Sequence, residues 1–134
     1  MNDKLQDTDN SIYKVGQLWS YKTRPSEPDS EFIVIKVETH PDWGIIVHIS
    51  LRGLKVKNHY NESGFSSIIV HLPFEEASII ESVTEKLADN APLPDFQDGY
   101  STWQEAFDQG KGGVWQWPIA KAIDAMEDII NSPK

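Results

Sequence analysis

Four histidines are the side chains of this sequence best suited to chemistry: His40, His48, His59 and His71. None of them falls in an H-x-x-x-H or H-E-x-x-H spacing, and the chain has no cysteine. Zinc requires three or four converging ligands, and these spacings do not supply them. His48 and His71 lie in predicted strands and can meet on one face of a sheet. We therefore expect no metal site and no cofactor.

Three segments resemble binding or catalytic motifs only in part. Asp98-Gly99, with Glu105 six residues after the glycine, is similar to the second half of a calcium loop whose first oxygen ligands are missing. The segment 110–113 is rich in glycine but lacks the frame of a phosphate-binding loop. The segment 63–66 lacks the flanking glycine of a nucleophile elbow. None of the three predicts a site, and the segment 110–113 is explained as a flexible connector between two helices.

The polar face of two predicted strands carries residue types suited to general acid–base work: Lys36, Glu38, His48, Ser50 and Arg52. Mixed charge on the open face of a sheet is ordinary, and only convergence around a pocket indicates catalysis. We therefore assign no catalytic residue and predict that the protein is not an enzyme. The alternative is a small hydrolase or ligand-binding protein that uses this face, with a deep pocket lined by His48, Glu38 and Arg52.

These strands flank the segment THPDWG and organise the predicted fold. Residues 32–39 and 45–52 are rich in β-branched side chains and alternate in polarity, which predicts two half-buried strands. Pro41, Asp42 and Gly44 favour a turn, so the pair is an antiparallel hairpin with one buried and one partly wet face. Its predicted buried stripe comprises Ile33, Ile35, Val37, Ile45, Val47, Ile49 and Leu51.

The rest of the first half predicts further short strands at 12–22, 54–57 and 68–72. In the second half the period becomes helical, with helices predicted over 74–90, from the Ser101-x-x-Gln104 capping box, and from Pro118 onward. Fold class is therefore α+β. We expect an N-terminal antiparallel β-meander or partly closed barrel of about five strands, with C-terminal helices packed on one face. The last helix would dock its apolar side on the hairpin.

The length of 134 residues predicts one domain over 11–134, with strands within 11–72, helices within 74–131 and a disordered tail over 1–10. The chain shows no apolar run of the about 20 residues that a membrane helix needs, and its N-terminus shows no hydrophobic signal region. We therefore expect no membrane association and a cytoplasmic location. The sequence leaves the oligomeric state open.

The net charge of −9 is concentrated in the C-terminal half. Residues 1–72 carry 9 acidic and 8 basic side chains, whereas residues 73–134 carry 12 acidic and 4 basic ones. Nucleic-acid binding needs clustered lysine and arginine, so this charge argues against it. The acidic half suits either a surface that attracts a basic protein or a surface that keeps a small protein in solution.

Aromatic residues are concentrated near the acidic ones. Trp103, Phe107, Trp115 and Trp117 lie within 15 residues of one another. Most large aromatics are core residues, but any left exposed beside acids would form a binding site for a basic partner. The candidate partner-binding residues are Glu75, Glu76, Glu81, Glu85, Trp103, Glu105, Asp108 and Trp115.

Four stretches carry a resemblance to known sequences: VGQLWSYKTRP, HPDWGIIVHISLRGLKVKN, HLPF and LPDFQDGYSTWQEAFDQGKGGVW. Together they resemble a set of small uncharacterised bacterial proteins, over about Val15 to Ile129, and that resemblance implies no catalytic residues. In size and acidity the chain is also similar to the immunity proteins of contact-dependent inhibition, although no diagnostic motif carries this likeness. It implies a non-enzymatic, antitoxin-like module that blocks the active site of a basic toxin, for instance a nuclease.

Overall fold

The computed structural model describes residues 4–132. This part of the chain forms eight strands and three helices. The strands are β1 (Gln6–Asp7), β2 (Leu18–Tyr21), β3 (Glu31–His40), β4 (Gly44–Arg52), β5 (Val56–Lys57), β6 (Phe65–Ser66), β7 (Ile69–Glu75) and β8 (Val83–Ala88). The helices are α1 (Glu76–Ser82), α2 (Gln97–Asp108) and α3 (Ile119–Asn131). The α+β class is confirmed.

The main sheet is antiparallel and has the strand order β7-β4-β3-β2-β8, with β1 pairing the far end of β3. β5 and β6 form a separate hairpin. Helix α1 joins the two edge strands, and its seven residues span only about 10 Å. Four strand spacings in a flat sheet would cover about 19 Å. The sheet must therefore curl, although its edges do not pair and it stays open.

One face of the sheet holds the main core, which α1 and α3 cover. β-Branched and aromatic side chains of the central hairpin face the apolar side of α3 there, as the sequence predicts. The central members of this core are Phe32, Val34, Val37, Val47, Ile49, Leu51, Ile79, Ile119, Ala122 and Ile123. The helical period also places Ile129 on the apolar side of α3, but this side chain is 63% exposed.

A β-bulge shifts the alternation of β3. The ladder pairs Val34 and Lys36 with adjacent residues of β4, so Ile35 is an extra residue in β3. Val37 therefore faces the same side as Val34, whereas Ile33 faces the other side. The predicted stripe of Ile33, Ile35 and Val37 is wrong for this reason, since the bulge divides it between two faces.

Helix α2 lies against the second face of the sheet. Its aromatic side chains contact His48 and His71 there, and Phe107 packs in a small cluster with Ile46 and Val114. The sheet thus has a helical layer on each face, with α1 and α3 on one side and α2 on the other. The second face is buried beneath α2, not wet.

The segment 74–90, predicted as one helix, divides between three elements. Only residues 76–82 are helical, residue 75 still belongs to β7, and residues 83–88 form β8 against β2. The helix also buries Ile79, leaving Ile80 51% exposed. Pro73 continues β7 where the sequence predicts its end, because this strand lies at a sheet edge and tolerates the missing N–H.

Residues 4–10 belong to the described part of the chain, although the sequence predicts a disordered tail over 1–10. Residues 6 and 7 form β1, and Asp7 pairs with Lys36 over 2.9 Å. Residues 1–3 lie outside the described part of the chain.

Arg24 ties the loop before β3 to α3. Its guanidinium forms a fork with Glu27, with nitrogen–oxygen distances of 2.8 and 3.1 Å. A third nitrogen contacts Asp124 at 3.0 Å and Glu127 at 3.2 Å. The hydrogen bonds to Glu27 raise the pKa of Arg24 above its ordinary value, and desolvation opposes them only in part. This ion pair is the main buried charge pair on the α3 side.

Candidate functional site

A hydrogen-bonded polar cluster fills the space between α2 and the sheet. Glu38 Oε1 lies 2.8 Å from Nε2 of His48, and Nδ1 of His48 lies 2.8 Å from Nε2 of His71. The Tyr100 hydroxyl donates to Glu38 Oε2 over 2.7 Å. His48 is fully buried and Glu38 is 3% exposed. β3, β4, β7 and α2 each contribute one member, so the cluster fixes how these four elements meet.

Both histidines of the cluster are held neutral near neutral pH. Glu38 accepts from Tyr100 and from Nε2–H of His48, so Nδ1 of His48 accepts from Nε2–H of His71. Desolvation lowers the pKa of His48, although the bond to Glu38 opposes the shift. Desolvation and the neighbouring His48 lower the pKa of His71 to about 3. Burial, followed by the contact with Glu38, raises the pKa of Tyr100.

This cluster does not have the geometry of the alternative enzyme site. α2 covers Glu38 and His48, and Arg52 stands apart in an exposed pair with Glu31 at 2.6 Å. The three residues therefore do not line a common pocket. His71 reaches the surface in part, and its lowered pKa of about 3 makes it a weak base near neutral pH. The cluster instead holds α2 in place.

The outer face of α2 is acidic, and no basic residue within the helix compensates this charge. Residues 95–108 contain four acidic side chains and no lysine or arginine. Asp98, Glu105 and Asp108 are exposed, and none of them forms a salt bridge with any residue in 4–132. Asp98 lies in the first helical turn, where the helix dipole favours an acid. Glu105 and Asp108 lie in the last turn, where the dipole disfavours one.

A hollow of about 340 Å³ lies beside the C-terminal end of α2. The turn between β3 and β4 forms its opposite wall with Asp42 and Trp43, and Trp43 packs on Phe107 with the ring centroids 6.2 Å apart. Asp108 lines the same hollow, so two carboxylates border one partly buried indole. An acidic rim around an aromatic side chain suits a positively charged group.

The predicted partner-binding residues divide between several surfaces. Glu105 and Asp108 share the outer side of α2, while Trp103 points inward, stacks on Phe107 and donates to the Gly113 carbonyl over 2.8 Å. Trp103, which was a candidate anchor only if exposed, is half-buried and packs α2 on the sheet.

The other predicted residues lie away from α2. Glu75 and Trp115 are neighbours, since the N–H of Glu75 donates to the Trp115 carbonyl over 3.0 Å. Trp115 packs against the main core and is partly buried. Glu76 accepts from a serine hydroxyl at 2.6 Å. Glu81 lies in the last turn of α1, and Glu85 lies on β8, at the sheet edge opposite β7. The structure does not bring these five residues and α2 onto one surface.

Asp42 and Trp43 are the site residues that sequence reasoning missed. They were assigned only to a turn, because a turn composition of Pro, Asp and Gly explains the segment completely. Their proximity to Asp108 depends on α2 crossing the second face of the sheet. An aromatic residue beside an acid within a turn is the one signal that the sequence offers.

Neither a metal cluster nor a membrane helix is found in the described residues. Within residues 4–132 no three His, Asp or Glu side chains converge to hold a metal ion. No helix in that range is long and apolar enough to cross a membrane. No protein-family model, curated protein or solved structure matches the chain. The functional argument therefore rests on the surface of α2 and the hollow.

Proposed function

We propose that the protein is a non-enzymatic binding module that neutralises a basic protein partner. In the most concrete form it is an immunity or antitoxin-like protein of the cytoplasm that covers the active site of a toxin domain, such as a nuclease. The binding surface is the outer face of α2, with Glu105 and Asp108, together with the hollow formed with Asp42 and Trp43.

The observation that carries this proposal is the position of two unpaired carboxylates at the wrong end of a helix. Glu105 and Asp108 lie in the last turn of α2, which has no basic residue. Each such charge costs about 0.3–1 kcal/mol through the helix dipole at low salt. A residue that lowers stability is typical of a site kept for function, and neither carboxylate forms a salt bridge with any residue in 4–132. A basic partner would supply the missing positive charge.

Charge also favours rapid association. The C-terminal half holds 12 acidic and 4 basic side chains, so a cationic partner is attracted over the distance of a Debye length. The expected mechanism is steric occlusion of the partner's active site, with electrostatic steering that raises the association rate constant. Raising the ionic strength should therefore slow association more than it speeds dissociation.

The test combines binding, protection and stability. The double variant Glu105→Gln/Asp108→Asn should associate about tenfold more slowly with the toxin encoded by the neighbouring open reading frame, measured at low salt. It should also restore growth less well when both genes are co-expressed. Its free energy of unfolding should rise by about 0.5–2 kcal/mol in urea titrations, because two dipole penalties are removed.

Asp128 supplies the matched control. It is an exposed acid in the last turn of α3, which also lacks a basic residue there, and it lies on the other face of the sheet. Asp128→Asn should therefore stabilise the fold by about 0.3–1 kcal/mol, since one dipole penalty is removed, and leave association unchanged. Failure of the wild-type protein to bind or neutralise any product of its neighbouring genes would refute the proposed function.

A further inference from the structure

We propose that the hollow between α2 and the β3–β4 turn is a binding pocket for one lysine or arginine residue of the partner. This inference rests on the proposed function and names the chemical group that the surface receives. Asp42 and Asp108 would pair with the cation, and the Trp43 indole would lie against it. The volume of about 340 Å³ lies at the lower end of ligand pockets and suits a single side chain.

His40 gives independent support for a ligand in the hollow. It is 7% exposed and lines the hollow, and its ring lies edge-on to Phe107 with the centroids 5.2 Å apart. The N–H of Asp42 donates to Nδ1 of His40 over 3.1 Å. Nδ1 therefore holds the lone pair, and the neutral ring carries its proton on Nε2.

The Nε2–H of His40 has no acceptor among residues 4–132. Every fully buried side-chain nitrogen or oxygen atom in that range has a hydrogen-bond partner. Since Nε2 of His40 has none, it must be accessible to solvent. His40 lines the hollow, which is therefore the space that Nε2 faces. A donor here calls for an acceptor on the ligand, which a lysine or arginine side chain lacks. The main-chain carbonyl of the same residue provides one. The pocket thus fits a basic residue within a peptide, and not a free cation.

Charge within the hollow agrees with this assignment. Among residues 4–132, two carboxylates line the hollow, those of Asp42 and Asp108, against one ammonium group, that of Lys4. A cationic ligand therefore meets an excess of one negative charge. Removing the ammonium group with Lys4→Ala should tighten binding of a cationic ligand.

The test uses small peptide-like probes and needs no identified partner. N-acetyl-arginine amide and N-acetyl-lysine amide are titrated into ¹⁵N-labelled full-length protein, and the indole N–H signal of Trp43 is followed by NMR. We expect a saturable shift with a dissociation constant of the order of millimolar, typical of one residue bound alone. N-acetyl-norleucine amide, which lacks the charge, should produce no saturable shift. Trp43→Phe assigns the signal.

Variants separate the pocket from general acidity. Asp42→Asn/Asp108→Asn should weaken arginine-amide binding by about tenfold. The control Asp124→Asn/Asp128→Asn, on α3, removes the same charge and should bind as the wild type does. The assignment is overturned if Trp43 shows no saturable shift, if the norleucine probe shifts it equally, or if both double variants bind alike.

The proposed function fails by a different result. If Asp42→Asn/Asp108→Asn neutralises the toxin fully while Glu105→Gln does not, the pocket assignment is overturned and the proposed function stands. If the wild-type protein neutralises no neighbouring gene product, the proposed function is overturned, even where the arginine amide binds at Trp43.

Discussion

Replacing Arg24 by methionine should destabilise the fold far more than removing its exposed partner. The Arg24 side chain is 9% exposed and its fork partner Glu27 is 1% exposed, whereas Asp124 is 63% exposed. Arg24→Met leaves the Glu27 carboxylate buried without its counter-ion, which typically costs about 3–5 kcal/mol. Asp124→Asn removes an exposed pair worth about 0–1 kcal/mol. The expected difference is a large part of a total stability of about 5–15 kcal/mol.

Urea denaturation, followed by tryptophan fluorescence, measures the free energy of unfolding of the wild type and of each of these two variants. The double variant Arg24→Met/Glu27→Leu should recover part of the loss, because removing both charges costs less than leaving one of them buried. Equal costs for Arg24→Met and Asp124→Asn would show that solvent screens the fork as well, and the argument from burial would be wrong. A double variant less stable than Arg24→Met would contradict it too.

Proton uptake and core packing give two further predictions. The folded state holds the pKa of His71 at about 3, below its ordinary 6.5. As the pH falls, the unfolded chain therefore takes up this proton before the folded chain does. The free energy of unfolding should then decrease as the pH drops from about 6.5 towards about 3. Between about pH 7.5 and pH 5, urea titrations should show the wild type losing about 2 kcal/mol more than His71→Gln, and equal losses would refute the lowered pKa. Ile123→Ala should cost about 2–5 kcal/mol, whereas Ile129→Ala on the same helix should cost about 0.5 kcal/mol or less. Similar thermal unfolding midpoints for these two variants would contradict the burial of α3.

The central hairpin could be predicted because its signals are local. β-Branched residues flank a turn with Pro41 and Gly44. This turn brings the two strands side by side, so β3 and β4 pair along their length. The bulge at Ile35 could not be predicted in this way. All residues from 32 to 37 except Lys36 are apolar and could face either side of the sheet. Only packing against α3 on one face and α2 on the other decides which residue is the extra one.

The predicted helix over 74–90 failed because tertiary pairing overrides a short periodic pattern. Val83 and Thr84 are β-branched and favour strand, but the acidic residues around them continue the helical period. The decisive interaction is with β2, more than 60 residues earlier, where the hydroxyls of Ser20 and Thr84 lie 2.6 Å apart. No local signal in 83–88 reports that partner.

The candidate site was predictable only in its charge. The excess of acid in the second half is a property of composition, and Glu105 and Asp108 were identified from it. Their neighbours Asp42 and Trp43 come from a turn more than 60 residues away and meet Asp108 only because α2 lies on the second face. Sequence spacing carries no information about that contact.

The position of α2 depends on directional bonds more than on apolar area. α3 places fully buried aliphatic side chains in the main core, whereas the only buried side chains of α2, those of Tyr100 and Phe107, remain 5% and 8% exposed. Nonpolar packing alone would allow such a helix to slide or rotate on the sheet. The bond from Tyr100 to Glu38 fixes its register on the sheet, and the bond from Trp103 to the Gly113 carbonyl ties the helix to the segment that follows it. The buried polar cluster therefore sets where the carboxylates of α2 stand, and with them the shape of the hollow beside Trp43.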